Sequence, residues 1–206
     1  MKDMKTRERF RYARGISLLE LVIVAAVSLI VAAMLLPNVL NGIYNIRLRA
    51  AANDVAGLLQ DAHFRAIRDN TFYPIRSVIV GRSTVFYIDT TAAHNGTTWV
   101  NTYPTVQLGG NITRDYSAHP VISTMALGFT PAPATALPYF SSRGTPCAIS
   151  GSVCLNSFVS SGLTIVASYQ IFLTDSRPTG ANGWAAVTIS PAGRVKTWMW
   201  DGGKWQ

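Results

Sequence analysis

Residues 11–36 read RYARGISLLELVIVAAVSLIVAAMLL, and this stretch decides the fold. From Ile16 to Leu36 the chain carries 21 residues in which Glu20 is the only charged one. As a helix, the run is roughly 30 Å long, the thickness of the hydrocarbon core of a bilayer. A carboxylate inside such a run is costly in lipid and usually serves a function. The stretch therefore predicts a membrane-spanning helix in which Glu20 has a specific task.

The flanks of this run exclude two simpler explanations. An ordinary secretory signal has a shorter apolar core followed by a small-residue cleavage site, whereas Pro37 and a further helical pattern follow here. A lipoprotein signal needs a cysteine near the run, and the run has none. A plain single-pass anchor shares the basic flank but gives no reason for Glu20.

Residues 14–37 together resemble the signature of type IV pilins. They combine a basic segment ending at Gly15, an apolar run with one acid, and Pro37 closing the run. The resemblance implies that a prepilin peptidase cuts after Gly15 and that the new N-terminus, Ile16, is methylated. It also implies that Glu20 pairs with the free N-terminal amine of a neighbouring subunit in a filament.

The positive charge of the chain is unevenly placed. The net charge is +8. Residues 1–15 carry six basic and two acidic residues, a net of +4, so the remaining residues also carry +4. Half of the charge is therefore a topology signal for the cytoplasmic side of a membrane, and the high isoelectric point overstates any case for nucleic-acid binding.

The helical pattern continues beyond the membrane run. Apolar residues recur at three- and four-residue steps up to Ile67, with charged residues between them, and Asp61 and Arg65 form a helix-supporting pair. We expect one helix from Ser17 to about Asp69, kinked or loosened at Pro37 and Gly42.

The remaining chain is rich in strand signals. Residues 76–80 and 84–88 predict one hairpin, and residues 184–190 and 194–200 predict another around Pro191-Ala192-Gly193. Residues 163–173 predict one long strand. Weaker strands are expected near 98–101, 105–108, 121–124 and 153–159.

These patterns divide the chain into four parts. They are a basic leader (1–15), a membrane or filament-core helix (16–36), an amphipathic continuation (37–70) and a β-rich head (71–206). The expected fold class is α+β, a long N-terminal membrane-spanning helix packed on an antiparallel β-sheet domain.

Two segments resemble one branch of the pilin superfamily, the FimT minor pilins and the GspH pseudopilins of type II secretion. They are IRLRAAANDVAGLLQDAHFRAIRDN (46–70) and AAVTISPAGRVKTW (185–198). His63-Phe64-Arg65-Ala66 departs from the usual Ala-Arg-x-Glu, Ile16 replaces a usual Phe or Met, and residues 91–162 match no pattern of the branch. The resemblance implies a subunit anchored in the bacterial inner membrane with a periplasmic C-terminal domain. Its implied partners are other pilin or pseudopilin subunits and the prepilin peptidase.

The two cysteines, Cys147 and Cys154, lie in a segment rich in Gly, Ser and Pro. A metal site would need further ligands nearby, and the three histidines are scattered, so no metal site is expected. If the head faces an oxidising periplasm, a disulfide closing this short loop is expected.

Enzymatic motifs are absent from the sequence. No two histidines have ligand spacing, no nucleophile-elbow motif occurs, and no phosphate-binding loop is present. We expect no catalytic residues and no cofactor, and a membrane-anchored enzyme or adhesin remains the third hypothesis for function.

A basic and aromatic group near the C-terminus predicts an alternative function in DNA uptake. Strand alternation places four side chains on one face, and one more cation follows: Arg194, Lys196, Trp198, Trp200 and Lys204. Cations and exposed aromatic rings suit phosphate contact and base stacking. The segment from Gly193 to Lys196 also resembles the G-R-x-R motif of DNA-binding FimT proteins, with a lysine in place of the second arginine. The tryptophans could equally be core residues beside solvated cations, and the other arginines (76, 82, 114, 143 and 177) lie in separate turns or strand starts.

Overall fold

The long helix expected near the N-terminus is present. The computed structural model describes residues 17–91, 103–150, 153–160, 162–177 and 183–206. Helix α1 covers Leu18–Arg68, 51 residues, which confirms the predicted helix within one residue at each end. α1 is helical through positions 37 and 42, and a kink at either position stays a prediction.

Two units divide the chain, Met1–Asn41 and Gly42–Gln206. In the first unit, the large apolar side chains of α1 are exposed, for example Leu29 at 72% and Met34 at 71%. α1 reaches a mean hydropathy of 2.8 over an 18-residue window, none of which is buried. The helix is therefore long and apolar enough to cross a membrane, and a continuous exposed apolar surface of this kind marks contact with lipid or protein.

The second unit combines the rest of α1 with antiparallel strands and one short helix. The elements after α1 are β1 (Tyr73–Val80), β2 (Ser83–Ile88), β3 (Thr105–Gln107), β4 (Ile112–Arg114), α2 (Thr124–Leu127), β5 (Tyr139–Phe140), β6 (Pro146–Ser150), β7 (Val153–Leu155), β8 (Ser157–Ser160), β9 (Leu163–Val166), β10 (Tyr169–Asp175), β11 (Gly183–Ile189) and β12 (Val195–Met199). They form a six-stranded sheet in the order β3-β2-β1-β5-β6-β7, a four-stranded sheet in the order β12-β11-β10-β4, and the pair β8-β9. The fold class is α+β, as predicted.

The main core lies between α1 and the sheets. Six helix residues at three- and four-residue steps are buried in it: Leu48, Ala52, Val55, Leu59, Ala62 and Ala66. They share one cluster with strand residues such as Phe86, Ile171 and Val187. The predicted amphipathic face is confirmed from Val55 to Ala66, because a period of 3.6 residues places these positions on one side of the helix. Before Val55 the prediction is wrong, since Ile46 and Ala50 are exposed and Leu48 and Ala52 are buried instead. Asp61 and Arg65 form the predicted ion pair at 2.8 Å.

A second, smaller core lies on the opposite face of the four-stranded sheet. Its buried members are Ile122, Phe172, Trp184, Ala186 and Trp198. Successive residues of a strand point to opposite faces, so Ala186 belongs to this core while its neighbours Ala185 and Val187 belong to the main one. Both faces of the central strand β11 are therefore covered.

Both predicted hairpins are confirmed. β1 pairs with β2 and β11 with β12, each in antiparallel register. The weak strand near 105–108 is present as β3, and that near 153–159 as β7 and β8. The weak strand near 98–101 lies outside the described residues.

Two strand predictions are wrong. Residues 121–124 form no strand, because the Ser123 hydroxyl accepts a hydrogen bond from the Ala126 amide and so caps the start of α2. The single strand expected over 163–173 is two strands, β9 and β10. They are separated at Ser168, whose hydroxyl donates to the Thr130 carbonyl at 2.9 Å.

Three segments meet around the His63 side chain of α1. A Cβ atom built on Gly144 would lie 2.9 Å from His63 Cε1, and one built on Gly193 would lie 3.1 Å from the same atom. The Gly193 Cβ would also lie 2.7 Å from the Gly144 carbonyl oxygen. The imidazole thus fills a space that two glycines leave open, one before β6 and one in the β11–β12 turn.

Candidate functional site

The first candidate residue, Glu20, lies in the first turn of α1. A carboxylate there is favoured by the positive end of the helix dipole. Among the described residues, none hydrogen-bonds or forms an ion pair with Glu20. Ser28, another polar residue in this apolar segment, does have a partner: its hydroxyl donates to the Val24 carbonyl at 2.7 Å. Glu20 is therefore a polar group for which this part of the chain supplies no partner.

The processing residues Gly15 and Ile16 lie outside the described residues. Description begins at Ser17, whose carbonyl accepts a hydrogen bond from the Leu21 amide at 3.1 Å. The helix of Glu20 thus starts within two residues of the predicted cleavage point. Cleavage after Gly15 and methylation of Ile16 stay predictions.

The second candidate site is the turn between β11 and β12. The Ser190 carbonyl accepts from the Gly193 amide at 2.8 Å, and the Ser190 hydroxyl accepts from the Arg194 amide at 3.1 Å. Gly193 has a φ of 80°, in the left-handed region that glycine adopts without steric cost. This turn places Arg194 at the exposed start of β12.

Lys196 and Trp198 lie on the same face of β12, as the alternation predicted. The ammonium nitrogen of Lys196 is 3.4 Å from the centroid of the Trp198 ring, a cation–π contact. Trp198 is only 8% exposed, and its indole N–H donates to the Thr188 hydroxyl at 2.9 Å. Of the two alternatives for Trp198, the core residue beside a solvated cation is confirmed. The exposed, stacking ring is wrong, because the second core covers the ring and Lys196 occupies one of its faces.

Trp200 and Lys204 lie beyond the other end of β12. Trp200 is half-buried against the second core, and its ring centroid lies 5.4 Å from that of Trp205. Lys204 is exposed in a turn that the Asp201 carboxylate holds by accepting from the Lys204 and Gly203 amides. Those two backbone hydrogen bonds lower the pKa of Asp201. At about 3.3 Å per residue, this turn is roughly 20 Å from Arg194, so the predicted site divides into two separate parts.

Arg194 and Lys196 line one surface groove. The groove has a volume of about 380 Å³ and lies between α2 with its flanking residues and the β11–β12 hairpin. Leu127 and Phe129 form its apolar side, and Ser190 adds a hydroxyl. Trp198 also lines the groove, but it is only 8% exposed and Lys196 covers one face of its ring. The groove is therefore cationic on one side, and the indole offers little surface for base stacking.

The predicted disulfide is present. Cys147 of β6 and Cys154 of β7 are bonded, with their Cα atoms 5.5 Å apart. The Cys147 carbonyl also accepts a hydrogen bond from the Tyr169 hydroxyl at 2.7 Å. Burial raises the pKa of Tyr169 to about 12. The disulfide thus secures the β6–β7 pair, and Tyr169 joins that pair to β10.

The sequence patterns do not indicate the importance of one further residue, Arg114. Arg114 ends β4 at the edge of the four-stranded sheet, and its guanidinium is largely buried beside the six-stranded sheet. In the sequence it is one of several isolated arginines. A strand signal before it would have been the only local indication, since its neighbours come from residues 77 and 134–136.

Comparison of the chain with protein-family models, with curated proteins and with solved structures finds no match. Any statement about function must therefore rest on the motifs of the sequence and on the geometry of Glu20 and the terminal hairpin. Those two features lie in different units of the chain.

Proposed function

We propose that this protein is a minor pilin or pseudopilin, a subunit of a type IV pilus or a type II secretion pseudopilus that assembles through its N-terminal helix. The observation that carries the proposal is Glu20, an acid without a partner in the first turn of an exposed apolar helix. A single membrane anchor does not need a carboxylate at this position. In a bundle of such helices, the carboxylate can pair with a positive charge on a neighbouring helix.

Physical chemistry supplies the partner for Glu20. Cleavage after Gly15 would create a cationic amine at Ile16, about one helical turn before Glu20. Inside a packed helical core, an unpaired carboxylate is strongly unfavourable, and a neighbour's amine would neutralise it. Such a buried pair acts mainly to set the register between subunits, because desolvation offsets much of the attraction between the charges.

The rest of the chain is consistent with this proposal. The basic leader predicts a cytoplasmic N-terminus, so the head would lie in the periplasm of a bacterial inner-membrane protein. The disulfide between Cys147 and Cys154 suits an oxidising compartment. On this proposal the protein needs no cofactor, and its partners are other subunits and the prepilin peptidase.

The test is a pair of matched substitutions in the apolar helix. Glu20→Gln should leave membrane insertion unchanged and abolish incorporation into sheared filaments, because the amide carries no charge to pair with the amine. Ser28→Ala is the control, since the Ser28 hydroxyl already bonds within its own helix. Equal incorporation of Glu20→Gln and wild type would contradict the proposal.

A second candidate function is DNA contact during natural transformation. The observation that favours it is the groove of about 380 Å³ lined by the exposed cations Arg194 and Lys196. We infer phosphate contact without base stacking, because Trp198 is buried. This candidate extends the first, since a DNA-binding minor pilin also assembles through its helix.

A DNA titration separates the two candidates. Changing both Arg194 and Lys196 to Gln should weaken binding and flatten its dependence on salt, since fewer phosphate counterions are released. Arg82→Gln, in the exposed β1–β2 turn, is the control. Absence of salt-dependent binding by the wild-type protein would exclude the DNA candidate and leave the assembly proposal standing.

A further inference from the structure

Arg114 of β4 lies where the four-stranded sheet faces β1 of the six-stranded sheet. One terminal nitrogen, Nη2, donates to the carbonyl oxygens of Ala134 and Thr135, both at 2.8 Å. The other, Nη1, donates to the Ser77 hydroxyl of β1 at 3.3 Å. The remaining nitrogen, Nε, is buried without a hydrogen-bond partner. The guanidinium is thus fixed in position. Because Nε is closed off from solvent, the unused donor left for a ligand is the second N–H of Nη1, whose one partner among the described residues is Ser77.

No carboxylate among the described residues pairs with Arg114. Asp89, the buried acid of the same region, pairs with Arg76 at 3.1 Å, and the adjacent Asp115 accepts from the Ser117 amide and hydroxyl. Burial lowers the pKa of Arg114, yet an arginine stays charged at neutral pH. Three backbone carbonyls and the Tyr116 ring, whose centroid is 5.5 Å from the guanidinium carbon, attract this half-buried cation. A bound anion would add the full negative charge that these groups do not carry.

An open surface cavity adjoins this guanidinium, with which no carboxylate of the described residues pairs. It has a volume of about 380 Å³, within the usual range for small-molecule sites. Arg114, Arg76 and Ser77 supply polar groups to its wall, while Tyr87, Tyr139 and Leu137 supply aromatic and apolar surface. Within the part of the chain that the structure describes, Asp89 offsets the charge of Arg76, so the lining offers one net positive charge together with surface for an apolar group.

We propose that this cavity binds a small monocarboxylate with an apolar or aromatic body, whose carboxylate lies against the Arg114 guanidinium. A single negative charge matches the single uncompensated positive charge. A dianion such as phosphate would bring a second charge towards Asp89. The half-buried Tyr139 and Leu137 accommodate the body of the ligand. This site is independent of filament assembly and of the Arg194 groove.

Fluorine NMR on the full chain in detergent micelles tests the site. The probe is 4-fluorobenzoate, and 4-fluorobenzamide is its neutral isostere. With the signal from empty micelles subtracted, the benzoate should show saturable binding, and the benzamide should not. Inorganic phosphate, added as a competitor, should not displace the bound benzoate. Saturable binding of the benzamide with equal affinity, or no saturable binding of the benzoate, would overturn the proposal.

Variants locate the binding. Arg114→Gln should weaken the affinity for benzoate by about tenfold or more, since a charge-assisted contact is lost. Arg143→Gln, an exposed arginine outside the cavity, should bind as wild type. Should Arg114→Gln fail to fold, Thr135→Trp decides the question, because Thr135 is exposed on the cavity wall and an indole there would fill the space. Undiminished binding by a folded Arg114→Gln, or by Thr135→Trp, would overturn the proposal.

Discussion

The Lys196 ammonium lies 3.4 Å above the centre of the Trp198 ring, while the N–H at the edge of the same ring donates to the Thr188 hydroxyl at 2.9 Å. The indole is therefore fixed both at a face and at an edge. Lys196 therefore contributes to the packing of the hairpin as well as to its positive charge. A substitution intended to test DNA contact at this position thus also tests stability.

Removing the charge of Lys196 should destabilise the hairpin measurably. Lys196→Met keeps an apolar stem but loses the cation–π contact, which should lower the free energy of unfolding by about 0.5–1 kcal/mol. Arg194→Met is the control, because Arg194 is exposed and makes no cation–π contact with any ring among the described residues. Urea unfolding followed by tryptophan fluorescence would compare them, and equal midpoints would contradict the contribution of the contact.

The two hairpin glycines should respond differently to an added methyl group. Gly81 and Gly193 both have positive φ, 64° and 80°, so alanine at either should cost about 1–2 kcal/mol from the left-handed backbone alone. At Gly193 the new Cβ would also lie 2.7 Å from the Gly144 carbonyl oxygen, whereas at Gly81 it meets no atom of the described residues within 4 Å. Gly193→Ala should therefore cost about 1–3 kcal/mol more. Thermal unfolding measures the difference, and equal losses would contradict the close approach.

Tyr169 should make stability fall at alkaline pH. Burial raises the pKa of its phenol from 10.0 to about 12, so the folded protein holds this proton more tightly than the unfolded chain does. The resulting stability is complete below pH 10 and is lost as the pH rises from about 10 to about 12. Tyr169→Phe should show a smaller decline over this range.

At neutral pH, Tyr169→Phe should be less stable by about 1–3 kcal/mol, because the Cys147 carbonyl loses its buried donor. Denaturant unfolding at a series of pH values gives both results. Tyr116→Phe, which changes an exposed ring, should follow the wild-type curve at every pH. An identical alkaline decline in Tyr169→Phe would show that another group causes it.

Reduction of the disulfide should lower stability modestly. Cys147 and Cys154 are seven positions apart, and so short a loop contributes about 2–3 kcal/mol through the unfolded state. The unfolding midpoint of the wild type should fall when a reductant is added. The double variant Cys147→Ala/Cys154→Ala should match the reduced protein and be insensitive to the reductant. A midpoint unaffected by reduction of the wild type would refute this assignment of stability.

The elements predicted correctly are those fixed by nearby residues. α1 follows from a 3.6-residue period that the buried positions between Leu48 and Ala66 repeat. The two hairpins follow from strand-forming runs around Gly81 and Gly193. In each case the residues that decide the structure lie within a few positions of one another.

One wrong prediction has a local cause, the Ser123 cap that starts α2 in place of a strand over 121–124. The other wrong predictions depend on distant partners. The run 163–173 is uniformly strand-like, but the Ala132 amide donates to the Ser168 carbonyl, and there the chain leaves the pairing with β8 for that with β11. Trp198 is buried because residues from 122 onward cover the sheet on that side. Arg114 gains importance only when Ser77 and the carbonyls of 134–136 surround it. A local sequence pattern does not indicate contacts between residues that lie so far apart in the chain.

The two glycines beside His63 have a mechanical consequence. A shift of α1 along its axis by one turn, about 5.4 Å, would remove the imidazole from the space that Gly144 and Gly193 leave open. The fit of the His63 ring between the two glycines therefore fixes the axial position of the helix in the head. Any pull transmitted along the second half of α1 would be resisted at His63, between the loop before the disulfide and the turn before Arg194.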